Sequence, residues 1–219
     1  MKTIMCYGDS NTWGYMPKPE MPASEAVNRF EWGVRWTSLL QMKLGEGWRV
    51  VEEGLNGRTT MFDCPMADRR NGLKEIDVSL LTHTPIDLVI VMLGTNDTKG
   101  IFNAGEKIIA HGIERLIERI RYGGHGPEGQ SPEILIVAPP RLREGVEKGW
   151  LATEFSEASV ALDGRLAGAY EQVCAACHTH FLNAGAYITA DAADCIHMNE
   201  EGHAKLAELL YDEVRRILG

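Results

Sequence analysis

The chain opens with Lys2-Thr3-Ile4-Met5-Cys6-Tyr7, which leads directly into Gly8-Asp9-Ser10-Asn11-Thr12. A short, mostly apolar run that stops at glycine predicts a buried strand followed by a sharp turn. The polar residues after Gly8 are good helix N-caps, so a helix is predicted to start there. Ligands of open α/β sheets bind at the carboxyl ends of the strands. Ser10 is therefore either a simple helix cap or a reactive hydroxyl at a ligand-binding edge.

Apolar segments of strand length recur along the chain and alternate with amphipathic segments of helical length. Further strands are predicted at residues 48–54, 86–93, 134–138 and 180–183, with helices between them (one at about 73–82) and a last helix at the C-terminal end. This alternation predicts an α/β fold: a three-layer α/β/α sandwich with a five-stranded parallel sheet and helices on both faces. A flavodoxin-like strand order, 2-1-3-4-5, is expected.

Length and composition indicate one globular domain, residues 1–219. The 219 residues are 44% hydrophobic and 24% charged, which is ordinary for a soluble protein. The net charge of −9 disfavours binding to nucleic acid or to an anionic membrane surface. No apolar run has the length of a membrane span, and the N-terminal residues lack the apolar region of a signal peptide. The five cysteines are an odd number and widely spread, so we expect reduced thiols and a cytoplasmic location.

Polar residues follow the first three strands at the point where each strand ends: Asp9-Ser10-Asn11, Asn56-Gly57-Arg58 and Thr95-Asn96-Asp97. Because the carboxyl ends of parallel strands lie on one edge of a sheet, these clusters are expected to converge. Acyl transfer needs a nucleophilic oxygen, a base, a group that orients the base, and donors aimed at the oxyanion. Ser10 fits the nucleophile. The Ser10 N–H, the Gly57 N–H and the Asn96 side-chain amide fit the donors.

The other end of the chain carries a candidate base within Asp194-Cys195-Ile196-His197, just before the last amphipathic segment. A histidine accepts a proton near neutral pH, and Asp194 can hold the second ring nitrogen of His197. Taken singly, each residue has a simpler interpretation, since Asp194 can cap a helix and His197 can be an ordinary loop histidine. Together with Ser10, they supply the three parts of a nucleophilic triad.

These residues resemble the four sequence blocks of the GDSL, or SGNH, hydrolases. The matching residues are, in order, Gly8-Asp9-Ser10, Gly57, Gly94-Thr95-Asn96-Asp97 and Asp194-x-x-His197. The blocks extend over nearly the whole chain, and residues 52–55, 93–99 and 194–197 are most similar to the bacterial arylesterase/acyltransferase branch. One residue departs from the pattern, because Asn11 stands where many members have leucine. This departure bears on local packing and on acyl preference.

The resemblance implies a serine esterase with Ser10 as nucleophile, His197 as base and Asp194 as the carboxylate that orients it. It also implies an oxyanion hole made by Ser10, Gly57 and Asn96, with no metal or cofactor. Members of the branch hydrolyse short acyl esters, including aryl esters and acetylated sugars, and some transfer the acyl group to alcohols. Several form higher oligomers, so a homo-oligomer acting on a small-molecule ester is expected. Further candidates for substrate contact are Asp9, Trp13, Asn56 and Ile196.

Two other functions remain open at this point. The chain could be a lysophospholipase or thioesterase that takes longer acyl groups, or a non-catalytic, flavodoxin-like binding module. The first turn has neither common glycine-rich phosphate motif, which disfavours a nucleotide-binding module. The sequence Cys174-x-x-Cys177-His178 matches a haem attachment motif, but it continues a predicted helix and no export signal accompanies it.

Two irregular segments are also predicted. Residues 13–31 contain three prolines and an aromatic cluster, which we expect to line the acyl or alcohol pocket and to contact another subunit. Residues 141–148 are rich in charge and are predicted to be a solvated surface.

Overall fold

The computed structural model describes residues 1–24 and 27–219, and a parallel sheet of five strands lies at its centre. The strands are β1 (Lys2–Gly8), β2 (Trp48–Gly54), β3 (Leu88–Met92), β4 (Glu133–Ala138) and β5 (His180–Asn183). Their order across the sheet is β2-β1-β3-β4-β5, and all neighbours run parallel. The predicted sheet and strand order are confirmed.

The central strand is β3, which is buried along its whole length. A parallel strand covered on both faces has a nearly continuous apolar sequence, because neither side faces water. The predicted strand at 86–93 is longer than the observed one at its N-terminal end. There the Ile86 N–H donates to the His125 carbonyl, 2.8 Å away, and not to a neighbouring strand.

The described residues form six α-helices: α1 (Ser10–Trp13), α2 (Trp36–Leu44), α3 (Gly72–His83), α4 (Glu106–Tyr122), α5 (Glu157–Cys177) and α6 (Glu200–Leu218). The helix predicted at about 73–82 is α3. It begins where the Asn71 side chain accepts the Lys74 N–H, which satisfies one of the free donors of the first turn.

Each face of the sheet carries its own apolar layer, because successive side chains of a strand point to opposite faces. Along β1, Met5 and Tyr7 join the layer covered by α3, α4 and α5, whereas Ile4 and Cys6 join the layer covered by α2 and α6. Burial of one such side chain contributes about 1.5–3 kcal/mol. The helices therefore lie on both faces, and the predicted three-layer sandwich is confirmed.

The predicted irregular segment 13–31 is partly ordered. Trp13 is the last residue of α1, and an isolated antiparallel bridge joins Tyr15 to Arg29. The predicted segment also contains Glu25 and Ala26, which lie outside the described residues.

The segment at 141–148 does not match its prediction. Leu142 and Val146 are buried against Ile196 in a small apolar cluster. The prediction of a solvated surface is therefore wrong for its apolar side chains, although its charged side chains are mostly exposed.

The Cys174-x-x-Cys177-His178 sequence forms the end of α5. Cys174 is buried, and His178 follows the helix in a left-handed conformation. All five cysteines are free. No helix within 1–24 and 27–219 is long and apolar enough to cross a membrane.

Candidate active site

Ser10 is the first residue of α1 and lies just after the turn that follows β1, at the carboxyl edge of the sheet. The Asp9 carboxylate caps the helix by accepting the Asn11 N–H at 3.0 Å. The turn is so tight that a Cβ at Gly8 would lie 2.0 Å from Oγ1 of Thr12. Glycine at this position therefore allows the chain to turn and to present the Ser10 hydroxyl at the end of the strand.

The structure brings Ser10, His197 and Asp194 into one chain of hydrogen bonds. Nε2 of His197 lies 2.9 Å from Oγ of Ser10, and Nδ1 of His197 lies 2.7 Å from Oδ2 of Asp194. All three residues are buried, with 3–6% of their surface exposed. A nucleophile bonded to a base, and the base bonded to a carboxylate, is the arrangement that activates a serine hydroxyl.

The loop that carries Asp194 and His197 fixes the carboxylate. Oδ1 of Asp194 accepts the N–H groups of Ile196 and His197, at 3.0 and 2.9 Å. Burial alone would raise the pKa of Asp194, but the hydrogen bonds and the charge of His197 hold it below its ordinary value. Asp194 is therefore an anion placed to hold one tautomer of the imidazole and to stabilise its protonated form.

Two further contacts fix the imidazole and the serine turn relative to each other. The Tyr15 ring stacks on the His197 ring, with centroids 4.4 Å apart and an angle of 29° between the planes. Oδ1 of Asn11 accepts the Met198 N–H at 2.9 Å, so the serine turn is hydrogen-bonded directly to the histidine loop. Asn11, where the sequence departs from the family pattern, thus joins two distant parts of the chain.

The three donors expected for an oxyanion lie in one cleft. Ser10, Gly57 and Asn96 all line it. Gly57 has a φ of 75°, in the left-handed region that favours glycine. Nδ2 of Asn96 donates to the Arg58 carbonyl at 3.1 Å, and this bond fixes the orientation of the amide.

Arg58 lies beneath these donors and connects the ends of two strands. Its Nη1 donates to the carbonyl oxygens of Gly8, at 2.8 Å, and of Glu53. Its guanidinium carbon lies 4.1 Å from the centroid of the Tyr7 ring. Burial lowers the pKa of Arg58, while the neighbouring acidic groups oppose that shift. Arg58 thus fixes the turn that carries Gly57 against β1.

Two buried carboxyl groups flank the same region. Burial raises the pKa of Asp97 to about 7, although Asp97 accepts hydrogen bonds from the Thr60 N–H and hydroxyl. Burial likewise raises the pKa of Asp9 to about 6, against the hydrogen bond from Asn11 and the charges of His197 and Arg58. Asp9 and Asp97 adjoin Ser10 and Asn96 in sequence, so their charge states affect the potential at the candidate site.

The cleft has a volume of about 240 Å³. We call the residues that follow the first three strands the cleft floor: Ser10, Asn56, Gly57 and Asn96. We call the residues contributed by the irregular segment before α5 the cleft wall: Trp150, Leu151, Glu154 and Phe155. His197 and Ile196 complete the lining beside the floor.

The candidates for substrate contact divide into two pairs. Asn56 and Ile196 line the cleft, as expected. Asp9 and Trp13 do not, because Asp9 is buried behind Ser10 and Trp13 packs against the guanidinium of Arg29, 4.9 Å from its ring centroid. Asp9 and Trp13 are therefore not exposed to the cleft, and its lining does not support the substrate contact expected of them.

Sequence reasoning missed the cleft wall and two cations at the site. The wall contains only three large apolar residues, Trp150, Leu151 and Phe155, which are too few to establish a helical or strand periodicity, so they give no local signal. Lys99 lies in the cleft and pairs with Glu154, with 2.5 Å between Nζ and Oε2. Arg70 also lines the cleft. Among the residues described, no group of three histidine, cysteine or acidic side chains lies close enough to bind a metal ion.

Comparison with known proteins agrees with this geometry. Residues 6–205 match the family model described as the GDSL-like lipase/acylhydrolase family. No curated protein sequence is significantly similar to the chain. The match confirms the resemblance expected from the four sequence blocks.

Several solved structures are similar over their whole length. The native aryl esterase of M. smegmatis has a TM-score of 0.92 and 36% identity, with 100% of both chains covered. A carbohydrate acetylesterase from Sinorhizobium meliloti has a TM-score of 0.92 and 34% identity, again with 100% of both chains covered. A carbohydrate acetylesterase family member from the same organism has a TM-score of 0.88 and 37% identity, with the same coverage. These neighbours confirm the predicted class of enzyme, a hydrolase of acyl esters.

Proposed function

The chain belongs to the GDSL-like lipase/acylhydrolase family, and from this premise we propose that it is a serine esterase for short-chain acyl esters. The observation that carries the proposal is the chain of hydrogen bonds from Oγ of Ser10 through His197 to Asp194. Ser10 opens onto a cleft whose other lining groups include Gly57 and Asn96. We propose that the reaction runs through a covalent acyl-enzyme on Ser10.

In the acylation step, Oγ of Ser10 attacks the ester carbonyl carbon while Nε2 of His197 takes its proton. The tetrahedral intermediate places its negative oxygen among three donors, the Ser10 N–H, the Gly57 N–H and Nδ2 of Asn96. The intermediate then collapses. The bond to the leaving oxygen breaks, and His197 gives that oxygen the proton it took from Ser10.

In the deacylation step, a water molecule takes the place of the departed alcohol. Nε2 of His197 removes a proton from this water as its oxygen attacks the acyl carbon, and the same donors receive the second oxyanion. Collapse breaks the bond to Oγ of Ser10, which regains the proton, and the acid leaves. We include acyl transfer in the proposal, because an alcohol can take the place of the water in this step.

The size and lining of the cleft support a short acyl group. A volume of about 240 Å³ is smaller than the ~300–1,000 Å³ of pockets that hold drug-sized ligands. The wall offers the aromatic rings of Trp150 and Phe155, and the floor offers the amide of Asn56. Such a lining suits an aryl or sugar alcohol, and the neighbours named as aryl esterase and carbohydrate acetylesterase support both classes.

Covalent labelling tests the proposed nucleophile. A fluorophosphonate should add one group per chain, located by peptide mass spectrometry at Ser10. Ser10→Ala should remove both the label and the hydrolysis of p-nitrophenyl acetate. Ser131→Ala is the matched control, since Ser131 is exposed and lies outside the cleft, and it should retain both. Full activity in Ser10→Ala contradicts the proposal.

A panel of esters tests the substrate class. We expect kcat/KM to be highest for acetyl and propionyl esters, to fall with acyl length, and to extend to acetylated sugars. A preference for acyl groups of eight carbons or more supports the lysophospholipase or thioesterase alternative. Tight ligand retention without any acyl turnover supports the binding-module alternative.

We propose further that residues 1–219 form a single domain that works in the cytoplasm as a homo-oligomer. The whole-length coverage by the neighbours supports one domain, and the free cysteines suit a reducing compartment. Exposed apolar side chains, including Trp32 and Met42, support self-association. Analytical ultracentrifugation tests the oligomeric state, and a monomer at micromolar concentration contradicts it.

A further inference from the structure

Arg70 brings a positive charge into the cleft beside the floor. A Cβ placed on Gly57 would lie 3.3 Å from Nε of Arg70, so the guanidinium packs directly against the glycine whose N–H we propose as an oxyanion donor. The side chain is half-buried, and its Nη1 donates to the Asp68 carbonyl at 3.0 Å. This contact holds the guanidinium without neutralising it.

The charge of Arg70 has no acidic partner in the part of the chain that the structure describes. No carboxylate of residues 1–24 or 27–219 forms a salt bridge with it, whereas the other cation of the cleft, Lys99, is paired with Glu154 at 2.5 Å. The imidazole of His197 likewise has an acidic partner, Asp194. Among the described residues, Arg70 is therefore the one cation of the cleft without a paired acidic side chain, although the whole chain has a net charge of −9.

A guanidinium in this position is suited to a particular chemical group. Its planar fork of N–H donors matches a carboxylate and can bind both oxygens at once. Because Arg70 contacts Gly57, a carboxylate it binds would lie only a few bonds from the reacting ester carbonyl. Arg70 gives the cleft a local attraction for an anionic substrate, which the net charge of −9 of the whole chain opposes.

We propose that Arg70 is a specificity-determining residue that binds a carboxylate carried by the substrate. The preferred substrates are then short-chain esters with a carboxylate near the ester bond, either on the acyl half, as in monoesters of dicarboxylic acids, or on the alcohol half, as in acetyl esters of acidic sugars or hydroxybenzoates. This inference rests on the proposed esterase function and names its substrate class.

Paired esters that differ in one charge test the inference. For the acyl half, p-nitrophenyl hydrogen succinate is compared with its methyl ester. For the alcohol half, 4-acetoxybenzoate is compared with methyl 4-acetoxybenzoate. The measured quantity is the ratio of kcat/KM for the anionic ester to that for its neutral partner, determined for the wild type, Arg70→Gln and Arg69→Gln. Arg69 is the matched control, because it has the same charge, adjoins Arg70, is exposed and does not line the cleft.

We expect the ratio to fall in Arg70→Gln by about 10- to 100-fold for at least one pair, as for the loss of a hydrogen bond to a charged group. The ratio compares two esters on the same protein, so a general loss of activity in Arg70→Gln does not change it. Arg69→Gln should keep the wild-type ratio within about twofold, as is usual for an exposed side chain. The pair that responds identifies the half of the substrate that carries the carboxylate. An unchanged ratio in Arg70→Gln overturns the inference. An equal fall of the ratio in Arg69→Gln also overturns it, because the effect then comes from the general electrostatic potential of the surface and not from a bound carboxylate.

Failure of the esterase proposal is distinguishable from failure of this inference. If the wild type turns over neither neutral nor anionic esters, the proposed function is wrong. Titration calorimetry with 4-hydroxybenzoate then tests Arg70 alone. Binding that is lost in Arg70→Gln and kept in Arg69→Gln supports the carboxylate site. Equal binding by all three proteins, or no binding by the wild type, overturns it.

Discussion

The cleft floor and the cleft wall are held in place in different ways. Each floor residue follows a parallel strand, and hydrogen bonds to backbone groups fix its neighbours, as in the bonds of Asn96 and Arg58 to carbonyl oxygens. The wall residues do not follow a strand, and most of their backbone hydrogen bonds close local turns, as from the Phe155 N–H to the Leu151 carbonyl at 3.0 Å. The wall follows an irregular segment that is anchored by apolar packing of Leu142 and Val146 against Ile196. From this comparison we propose that the floor, together with His197, carries the chemistry and that the wall selects what reaches it.

The largest effect is expected for Asp194→Asn, which alters the base without altering the fold. The new amide oxygen can still accept the N–H groups of Ile196 and His197, so its nitrogen must face Nδ1 of His197. The imidazole then carries its proton on Nε2 and cannot accept one from Ser10. We expect kcat to fall by ~10⁴-fold.

Steady-state kinetics and thermal unfolding check this result together. A loss of activity with an unchanged melting temperature supports the orienting role. A comparable loss of folded protein indicates that Asp194 mainly stabilises its loop, and this outcome contradicts the orienting role.

Next in size is Asn96→Ala, which removes a floor donor. We expect kcat to fall by ~100- to ~1,000-fold while KM changes little, because a donor to the oxyanion, as we propose for Asn96, acts mainly on the transition state. The initial-rate kinetics of phenyl acetate hydrolysis measure both constants. An effect confined to KM shows that Asn96 binds the ground state and not the oxyanion.

A smaller effect is expected when the wall is altered by Leu151→Ala. Removing this lining side chain should make room for larger groups, and each added methylene in an apolar pocket is worth ~10-fold or more in kcat/KM. We expect the ratio of kcat/KM for larger to smaller esters to rise by ~10-fold along either the acyl or the alcohol series. The kcat for phenyl acetate should stay within a few-fold of the wild type. A large fall in that kcat means that the wall also positions the catalytic groups.

The smallest effect concerns the buried carboxyl group behind the floor. Burial raises the pKa of Asp97 to about 7 in the folded chain, whereas an aspartate in the unfolded chain has a pKa of about 4. Between pH values of about 4 and 7 the unfolded chain has therefore lost the Asp97 proton, which the folded chain keeps. The free energy of unfolding of the wild type should therefore decrease as the pH rises through this range on account of Asp97. At pH values below the pKa of Asp97 in the unfolded chain, its contribution to the free energy of unfolding is fully present.

Asp97→Asn removes this pH-dependent contribution. Its free energy of unfolding, measured by urea denaturation at pH 4.5 and 7.0, should decrease less over that interval than that of the wild type. Asp63→Asn is a suitable control, since Asp63 is exposed and the hydrogen bonds from Lys74 and Asn71 lower its pKa. An identical pH dependence in Asp97→Asn and the wild type shows that the Asp97 carboxylate is ionised throughout.

The sequence predicted the floor better than the wall because the two depend on contacts of different range. A strand ending in glycine and polar residues is a local pattern, and the parallel sheet brings Ser10, Gly57 and Asn96 to one edge. The wall residues Leu151 and Phe155 pack in one apolar cluster with Ile196, about forty positions away. No local periodicity in the sequence predicts such contacts. For the same reason Trp13 was expected in the cleft but packs against Arg29.

The sequence by itself determined the alternation of strands and helices and the residues of the floor, whereas the strand order was expected by analogy with flavodoxin-like folds. The alternation and the floor residues follow from hydrophobic periodicity and from the geometry that parallel strands share. Only the tertiary structure decided that Asn11 joins the serine turn to the histidine loop, that residues 141–155 pack over the site, and that Arg70 is left without an acidic partner in the described chain. Each of these depends on which distant groups meet, and the free energy of such contacts is set by the complete fold and not by any one segment.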